Sequence, residues 1–216
     1  MPASVNHDLA HFWDERFANE GAIWGEGPSP TAHFVQELAQ PGRRVLDVGF
    51  GYGRDMAFLL KQGHRVCGVD LSHVGQQKAQ ERLNREGVEA EELKVADYAE
   101  HVFPAESFDM IFSHRVAHLL TTPEAIARFA EVTHHLLKPG GVFCLGVRDT
   151  RDLQPEDMVQ VSPSVYEYKH RPGHRIRYWN EQSFHEVFGT MFDIESLTLA
   201  TEPESSTRPV PTHLTI

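Results

Sequence analysis

The chain has 216 residues, 40% of them hydrophobic, so it is long enough to bury one substantial core but short for two full domains. Its 20 Lys and Arg residues against 31 Asp and Glu residues give a formal charge of −11, which would repel a nucleic-acid backbone. No basic run offsets this charge, and apolar runs such as "MAFLL" fall far below a membrane span. We therefore expect one domain with neither a nucleic-acid nor a membrane partner.

The first residues, "MPASVNHDLAHFWDE", lack both the basic start and the long apolar stretch of a secretory signal, so a cytoplasmic location is expected. The two cysteines, Cys67 and Cys144, each stand in an apolar run that is typical of a strand. We interpret them as small buried side chains rather than as a disulfide or as metal ligands.

From residue 43 onward, short apolar runs alternate with helical patterns, which predicts βαβ units and a mostly parallel sheet. The predicted strands are 43–49, 64–72, 91–97, 107–114, 142–149, 192–202 and 211–216. The predicted helices are 54–63, 72–86 before Gly87, 122–137 with Thr122 as its N-cap, and 180–189. Regularity lapses between residues 148 and 178, and an irregular insert of this length often carries recognition.

The stretch "VLDVGFGYGRD", residues 45–55, places Gly49, Gly51 and Gly53 directly after the first strand of this pattern. In an open α/β sheet the ligand crevice lies beyond the carboxyl ends of the strands, where strand order reverses. The glycines permit close approach of a ligand to the backbone, and the helix that opens at Arg54 offers amide donors. A tight turn without a ligand uses the same residues, so further evidence is needed.

Two acids supply that evidence, because Asp70 ends the second strand and Asp97 ends the third. A carboxylate at the tip of the second strand can accept hydrogen bonds from both hydroxyls of a ribose, which predicts a nucleoside ligand. An acid after the third strand can accept from the exocyclic amine of adenine. The dinucleotide-binding motif G-x-G-x-x-G is absent, because Arg54 occupies the position of its last glycine.

The segments "VLDVGFGYG", "VCGVDLS", "VADY", "FDMIFSH" and "LLKPGGVF" resemble the successive motifs of class I S-adenosylmethionine-dependent methyltransferases, over about residues 43–147. The resemblance implies an α/β, Rossmann-like, seven-stranded, mostly parallel sheet with a reversed C-terminal β-hairpin, and S-adenosylmethionine as the cofactor. The cofactor-binding residues that it implies are Asp47, Gly49, Gly51 and Gly53 for the methionine half, Asp70 for the ribose, and Asp97 and Tyr98 for the adenine, together with Leu71 after the second strand and Ser113 at the tip of the fourth. Phe50 departs from the family, which often has a small residue there, and is expected to pack under the turn.

The N-terminal stretch resembles that of small thiopurine and tellurite-resistance-type methyltransferases, in which this segment closes over the cofactor. Phe12, Trp13 and Phe17 fall on one helical face, whereas Trp24 stands in the loop "WGEGPSP". The resemblance implies that residues 11–30 form a lid that brings Trp24 to the substrate side. The expected single domain comprises an N-terminal lid and helical segment (1–40), a cofactor-binding core (41–147), a substrate-side insert (148–178), and a C-terminal helix with its hairpin (179–216).

Histidines are the candidate bases and metal ligands. His114 directly follows the fourth predicted strand, at a tip that borders cofactor and acceptor in the family, so it is the candidate catalytic base. The alternative is that His114 only hydrogen-bonds a loop carbonyl. His118 is assigned to the substrate side as a packing or hydrogen-bonding residue. The spacing of His114 and His118 suits a zinc pair, but no nearby Cys or acid completes a ligand set, so no metal site is expected.

The resemblance implies a methyltransferase that acts on a small-molecule acceptor. A thiol or another soft nucleophile is favoured, because the subfamily resemblance suggests one and because the chain shows no unmistakable base. The alternatives are a small-molecule O- or N-methyltransferase, a catalytically silent cofactor-binding module, and a nicotinamide oxidoreductase.

Overall fold

The computed structural model describes residues 3–100, 103–205, 208–210 and 214–215. The strands in these residues are β1 (Arg44–Val48), β2 (Arg65–Asp70), β3 (Glu92–Val95), β4 (Phe108–His114), β5 (Leu137–Val147), β6 (Met158–Ser162), β7 (Val165–Tyr168), β8 (Arg175–Arg177), β9 (Thr198–Leu199), β10 (Glu202–Ser205), β11 (Arg208–Val210) and β12 (Leu214–Thr215). The helices are α1 (Ala3–Glu20), α2 (Pro30–Leu38), α3 (Arg54–Lys61), α4 (His73–Glu86), α5 (Pro123–Leu136) and α6 (Glu181–Phe188).

A seven-stranded sheet with the order β3-β2-β1-β4-β5-β12-β9 forms the centre of the protein. Neighbours among the first five strands are parallel, and β12 runs antiparallel to both β5 and β9. The predicted seven-stranded, mostly parallel sheet with a reversed C-terminal β-hairpin is therefore confirmed, with five parallel strands and the short antiparallel pair of β12 and β9. Strand order reverses between β1 and β4, so the glycine turn after β1 lies at the switch point.

Local capping explains where several helices begin and end. The side chain of Ser72 accepts a hydrogen bond from the N–H of Gly75 at the start of α4, and Gly87 ends that helix in a left-handed conformation. Thr122 caps α5 as predicted, by accepting from the N–H of Ala125. Within the described part of the chain, no helix has the combination of length and hydropathy that crossing a membrane requires.

The sheet buries apolar side chains on both faces. Leu46 and Ile111 belong to the cluster that α5 and α6 cover, whereas Val45 and Phe112 belong to the cluster under α2, α3 and α4. Full burial of one such side chain contributes about 1.5–3 kcal/mol. Cys67 and Cys144 are buried free thiols, as predicted, and burial raises the pKa of Cys67 to about 11 and that of Cys144 to about 12.

The insert differs from the sequence expectation of irregular backbone. Strands β6, β7 and β8 form a separate antiparallel sheet, and its Met158 and Ile176 are buried in a cluster with Tyr178, the residue after β8. These strands are three to five residues long, and the turn between β6 and β7 has Ser164 at φ 62°. Period-two alternation is hard to recognise over so few residues, which is why the sequence did not predict them.

Candidate functional site

The glycine turn after β1 has the backbone that its sequence suggests. Gly49, Gly51 and Gly53 all adopt positive φ, at 78°, 52° and 75°. A Cβ on Gly49 would collide with the side chain of Val116, and one on Gly53 would lie 3.0 Å from the backbone of Ala79. The turn is thus fixed both by the left-handed backbone and by close packing.

Asp70 connects the end of β2 to this turn. Its Oδ2 atom accepts a hydrogen bond from the N–H of Gly51 at 2.8 Å, and its Oδ1 atom accepts one from the N–H of Ser72 at 2.8 Å. Burial raises the pKa of Asp70, although the N–H groups of Ser72 and Gly51 act in the opposite direction. The structure therefore brings Asp70 to the glycine turn, and its contact with a ribose stays a prediction.

Asp47 lies one residue before the end of β1 and is 2% exposed. Its Oδ2 atom is buried and has no hydrogen-bond partner among the described residues. Burial raises the pKa of Asp47 well above its usual range, and the charges of Asp55 and Asp70 add to this, whereas Arg54 opposes it. A buried acceptor atom without a partner suits a ligand that brings a cation or an N–H group.

Asp97 and Tyr98 follow β3, as predicted, but their side chains have different surroundings. The Asp97 carboxylate accepts a hydrogen bond from the N–H of Ala99 at 2.9 Å. Tyr98 is buried in the core, where its hydroxyl lies 3.0 Å from Oγ1 of Thr133 and its ring packs on Phe129. Burial raises the pKa of Tyr98. Any contact of Tyr98 with an adenine would therefore come from its backbone.

The tips of β1, β2 and β4 hold the other predicted residues. Ser113 is fully buried and its hydroxyl donates to the carbonyl of Val48 at 3.1 Å, which joins the tips of β4 and β1. Leu71 follows β2 directly and is half-buried. His118 is buried in a short 3-10 helix, Ala117–Leu119, that follows β4.

His114 ends β4 and is 7% exposed. Its Nδ1 atom lies 2.8 Å from Oγ1 of Thr31, a residue of the first turn of α2. One ring nitrogen of the candidate base is thus held by a hydroxyl on a helix. Whether His114 moves a proton stays a prediction.

The N-terminal segment lies on the glycine turn. The hydroxyl of Tyr52 donates to the carbonyl of Gly25 at 2.8 Å and accepts from the N–H of Trp24 at 3.2 Å. Arg54 donates to the carbonyl of Trp24 at 3.0 Å. These contacts place Trp24 beside the turn, and the opening of this segment as a lid stays a prediction.

Sequence reasoning missed Asp14, which attaches α1 to the same region. Its carboxylate accepts hydrogen bonds from the hydroxyl of Ser72 and, at 3.0 Å, from the N–H of Val74. The nearby Asp55 was also missed; it is buried and accepts from the N–H of Ser29 at 2.6 Å. The stretch "FWDERF" around Asp14 matches no functional motif, so only the tertiary structure identifies Asp14.

A second pair of histidines, adjacent in the sequence, lies away from this site. His134 and His135 line an apolar groove of about 830 Å³ beside the first residues of β5, at the opposite end of that strand from His114. In the part of the chain that the structure describes, no three His, Cys, Asp or Glu residues are grouped to hold a metal ion.

Comparison with known proteins finds a family model that matches part of the chain. Residues 45–141 match the family described as methyltransferase domain. Phosphoethanolamine N-methyltransferase 1 of Zea mays is 35% identical over 131 residues, which are 59% of this chain and 25% of that protein. Erythromycin 3''-O-methyltransferase of Saccharopolyspora erythraea is 32% identical over 162 residues, 67% of this chain and 50% of that protein. The chain therefore spans a quarter to a half of these relatives.

For a third relative and a solved structure, the match covers a larger share of the other protein. The probable thiol methyltransferase 2 of Arabidopsis thaliana is 29% identical over 161 residues, 72% of this chain and 69% of that protein. The crystal structure of Burkholderia thailandensis 1,6-didemethyltoxoflavin-N1-methyltransferase, with bound 1,6-didemethyltoxoflavin and S-adenosylhomocysteine, has a TM-score of 0.70. It is 21% identical and the match covers 99% of this chain and 86% of that chain, which shows a shared fold.

Proposed function

We propose, from the premise that the chain carries a class I methyltransferase domain, that it transfers a methyl group from S-adenosylmethionine to a small-molecule acceptor. The named relatives methylate nitrogen, oxygen or, by their names, sulfur, so they support the reaction class and leave the acceptor atom open. The cytoplasmic location and the lack of a nucleic-acid partner remain predictions from the sequence.

The observation that carries this proposal is the buried Oδ2 atom of Asp47 beside the glycine turn, without a partner in the described residues. S-adenosylmethionine has an ammonium and a sulfonium group in its methionine half, and both suit a site that collects Asp47, Asp55 and Asp70. The Asp70 carboxylate would serve the ribose, because it ends β2 beside the strand ends where open α/β sheets bind their ligands. The residues present therefore fit this cofactor.

When bound, the cofactor would supply an electrophilic methyl group, which would pass from its sulfonium sulfur to the acceptor. No nucleophilic side chain is required, so the chain acts by alignment, which is worth about 7–11 kcal/mol in favourable systems. Trp24 and the segment around it would exclude water from the glycine turn. His114, held by Thr31, would take the acceptor proton where one must be removed.

A thiol or another soft nucleophile is the acceptor that we favour. A thiolate forms with little assistance, so a site that relies on alignment is sufficient for it. The relative named as a probable thiol methyltransferase supports this choice. The alternative is O- or N-methylation, which the relatives that act on erythromycin and phosphoethanolamine support.

The test has a binding arm and a turnover arm. Calorimetry is expected to detect binding of S-adenosylmethionine and S-adenosylhomocysteine but not of NADH. Binding of NADH alone would replace the proposal by an oxidoreductase. A product assay then offers thiol, selenol, phenol and amine acceptors. Cofactor binding with no turnover of any acceptor class would instead identify a silent binding module.

A further inference from the structure

The first turn of α2 contacts both the helix after the glycine turn and the candidate base. Asp55, in the first turn of α3, is 8% exposed, and its Oδ1 atom accepts a hydrogen bond from the N–H of Ser29 at 2.6 Å. Ser29 is fully buried and caps α2, because its hydroxyl accepts from the N–H of Ala32 at 3.1 Å. A hydrogen bond from an N–H group to a carboxylate is charge-assisted, and burial shields this one from water. Asp55 therefore fixes the position at which α2 begins.

Thr31 connects the same turn of α2 to His114. Its Oγ1 atom lies 2.8 Å from Nδ1 of His114, and both side chains are buried. Gly146 of β5 lies beside His114 of β4, and a Cβ at Gly146 would collide with both the Thr31 hydroxyl and the His114 ring. The ring is therefore packed closely between α2 and the end of β5, so a shift of α2 should displace it.

Asp55 also belongs to the cofactor side of the site. It directly follows Arg54, the first residue of α3 after the glycine turn, and Nε of Arg54 lies 3.4 Å from its Oδ1 atom. The charge of Asp55 is close enough to Asp47 to contribute to the raised pKa of that carboxyl group. The contacts thus run in order from the glycine turn through Asp55, Ser29 and Thr31 to His114.

We propose that Asp55 is a positioning residue: it holds the first turn of α2 through the N–H of Ser29, and this turn holds the imidazole of His114 at a fixed distance from the glycine turn. The inference rests on the proposed methyltransferase function, with His114 as its base. In-line methyl transfer requires that the acceptor, the base and the methyl group keep one relative geometry. Asp55 acts on that geometry through α2 and needs no contact with the acceptor.

Two substitutions of Ser29 isolate its contact with Asp55. Ser29→Ala and Ser29→Pro both remove the hydroxyl that caps α2, but only Ser29→Pro also removes the N–H that Asp55 binds. Proline fixes φ at about −65°, and residue 29 has a φ of −69°, so the backbone suits the substitution. Asp55→Ala removes the same contact from the other partner. Thermal melts establish which variants are folded, and either Ser29→Pro or Asp55→Ala is sufficient for the test.

The first readout is the nuclear magnetic resonance signal of the His114 ring in the ligand-free protein, which does not depend on turnover. The signal is assigned by its absence in His114→Ala. Ser29→Pro and Asp55→Ala should each move it in comparison with Ser29→Ala, and the double variant should move it no further, because both changes break one contact. His64 precedes β2 at the opposite end of the sheet, so its ring signal is the control that should stay in place.

The second readout is turnover with an acceptor whose methylation His114→Ala slows. Ser29→Pro should lower kcat about 5- to 50-fold in comparison with Ser29→Ala, because a displacement of about 1 Å can cost about 10²-fold. The KM for S-adenosylmethionine should be similar in the two Ser29 variants, since neither changes a predicted cofactor-binding residue. A merely structural defect would instead lower the thermal midpoint and leave kcat per folded molecule unchanged.

The outcomes separate this inference from the proposed function. An unmoved His114 signal in folded Ser29→Pro or Asp55→Ala overturns the inference and leaves methyl transfer intact. A moved signal with the same kcat in both Ser29 variants also overturns it, because the ring position then has no effect on turnover. If His114→Ala slows no acceptor, His114 is not the base, and the inference fails while methyl transfer is retained. If the wild type methylates no acceptor, the proposed function fails, and the ring signal then decides whether Asp55 positions His114.

Discussion

The Asp70 carboxylate accepts a hydrogen bond from the N–H of Gly51 at 2.8 Å, so the end of β2 holds the glycine turn after β1 in place. The same carboxylate accepts from the N–H of Ser72 at the start of α4. One side chain thus organises the two elements that would face the ribose and the methionine half of the cofactor. This double role makes Asp70 the first residue to test.

Replacement of Asp70 by Ala should weaken the binding of S-adenosylmethionine by about 1.5–3 kcal/mol, the value of a lost charge-assisted pair of hydrogen bonds. Titration calorimetry measures this loss, and circular dichroism verifies that the variant folds. Asp109→Ala is the matched control, because Asp109 bonds the N–H of Arg44 and the Lys138 ammonium at the other end of the sheet. Unaltered affinity in folded Asp70→Ala would remove Asp70 from the site.

The raised pKa of Asp47 predicts a pH dependence of the ligand-free protein. Because the folded state holds this proton up to a higher pH than the unfolded state, it binds more protons between the ordinary and the raised pKa. Stability should therefore fall as pH rises through that window. Asp47→Asn should reduce this dependence of stability on pH and raise the thermal midpoint at neutral pH. The control Asp193→Asn, at an exposed position, should change neither the pH dependence nor the thermal midpoint.

Cofactor binding should depend on the same proton. A cationic ligand favours the ionised Asp47 carboxylate, so binding should release a proton and the affinity should increase as pH rises through the raised pKa. Calorimetry in buffers of different ionisation enthalpy counts that proton. The same proton release in Asp47→Asn as in the wild type would assign it to another group.

Local signals explain how much the sequence could predict. Helix caps and the alternation of strands with helices depend on residues that are close together in the sequence, such as Ser72, Gly87 and Thr122. The sheet and its switch point could therefore be predicted. The position of the Tyr98 ring in the core depends on Thr133, a residue far along the chain. Such pairings form only in the folded protein, and the sequence of the motif does not contain them.

The contact of Asp14 with α4 tests the predicted lid. Asp14→Ala removes the acceptor for Ser72 and for the N–H of Val74, which should cost about 0.5–2 kcal/mol of stability, as for a lost helix cap. Limited proteolysis should then cut within residues 1–30 more quickly, and turnover should decrease. Glu15→Ala is the control, because Glu15 is exposed on the same helix. If proteolysis and turnover match the wild type, Asp14 does not hold the lid.

His114 provides the test of the acceptor chemistry. With a thiol acceptor, His114→Ala should lower the rate less than about tenfold near neutral pH, because a thiolate forms with little assistance. With an alcohol or phenol acceptor that depends on a base, the same variant should lose about 10²–10⁴ in rate.

Thr31→Val tests the contribution of the contact between Thr31 and His114. This variant removes the hydroxyl that lies 2.8 Å from Nδ1 of His114 and leaves the imidazole in place. If His114 is the base and Thr31 only positions it, Thr31→Val should lower the rate with an acceptor that depends on a base less than His114→Ala does. Methylation of a phenol or an amine without any thiol turnover would exclude the soft-nucleophile proposal and leave O- or N-methylation in its place.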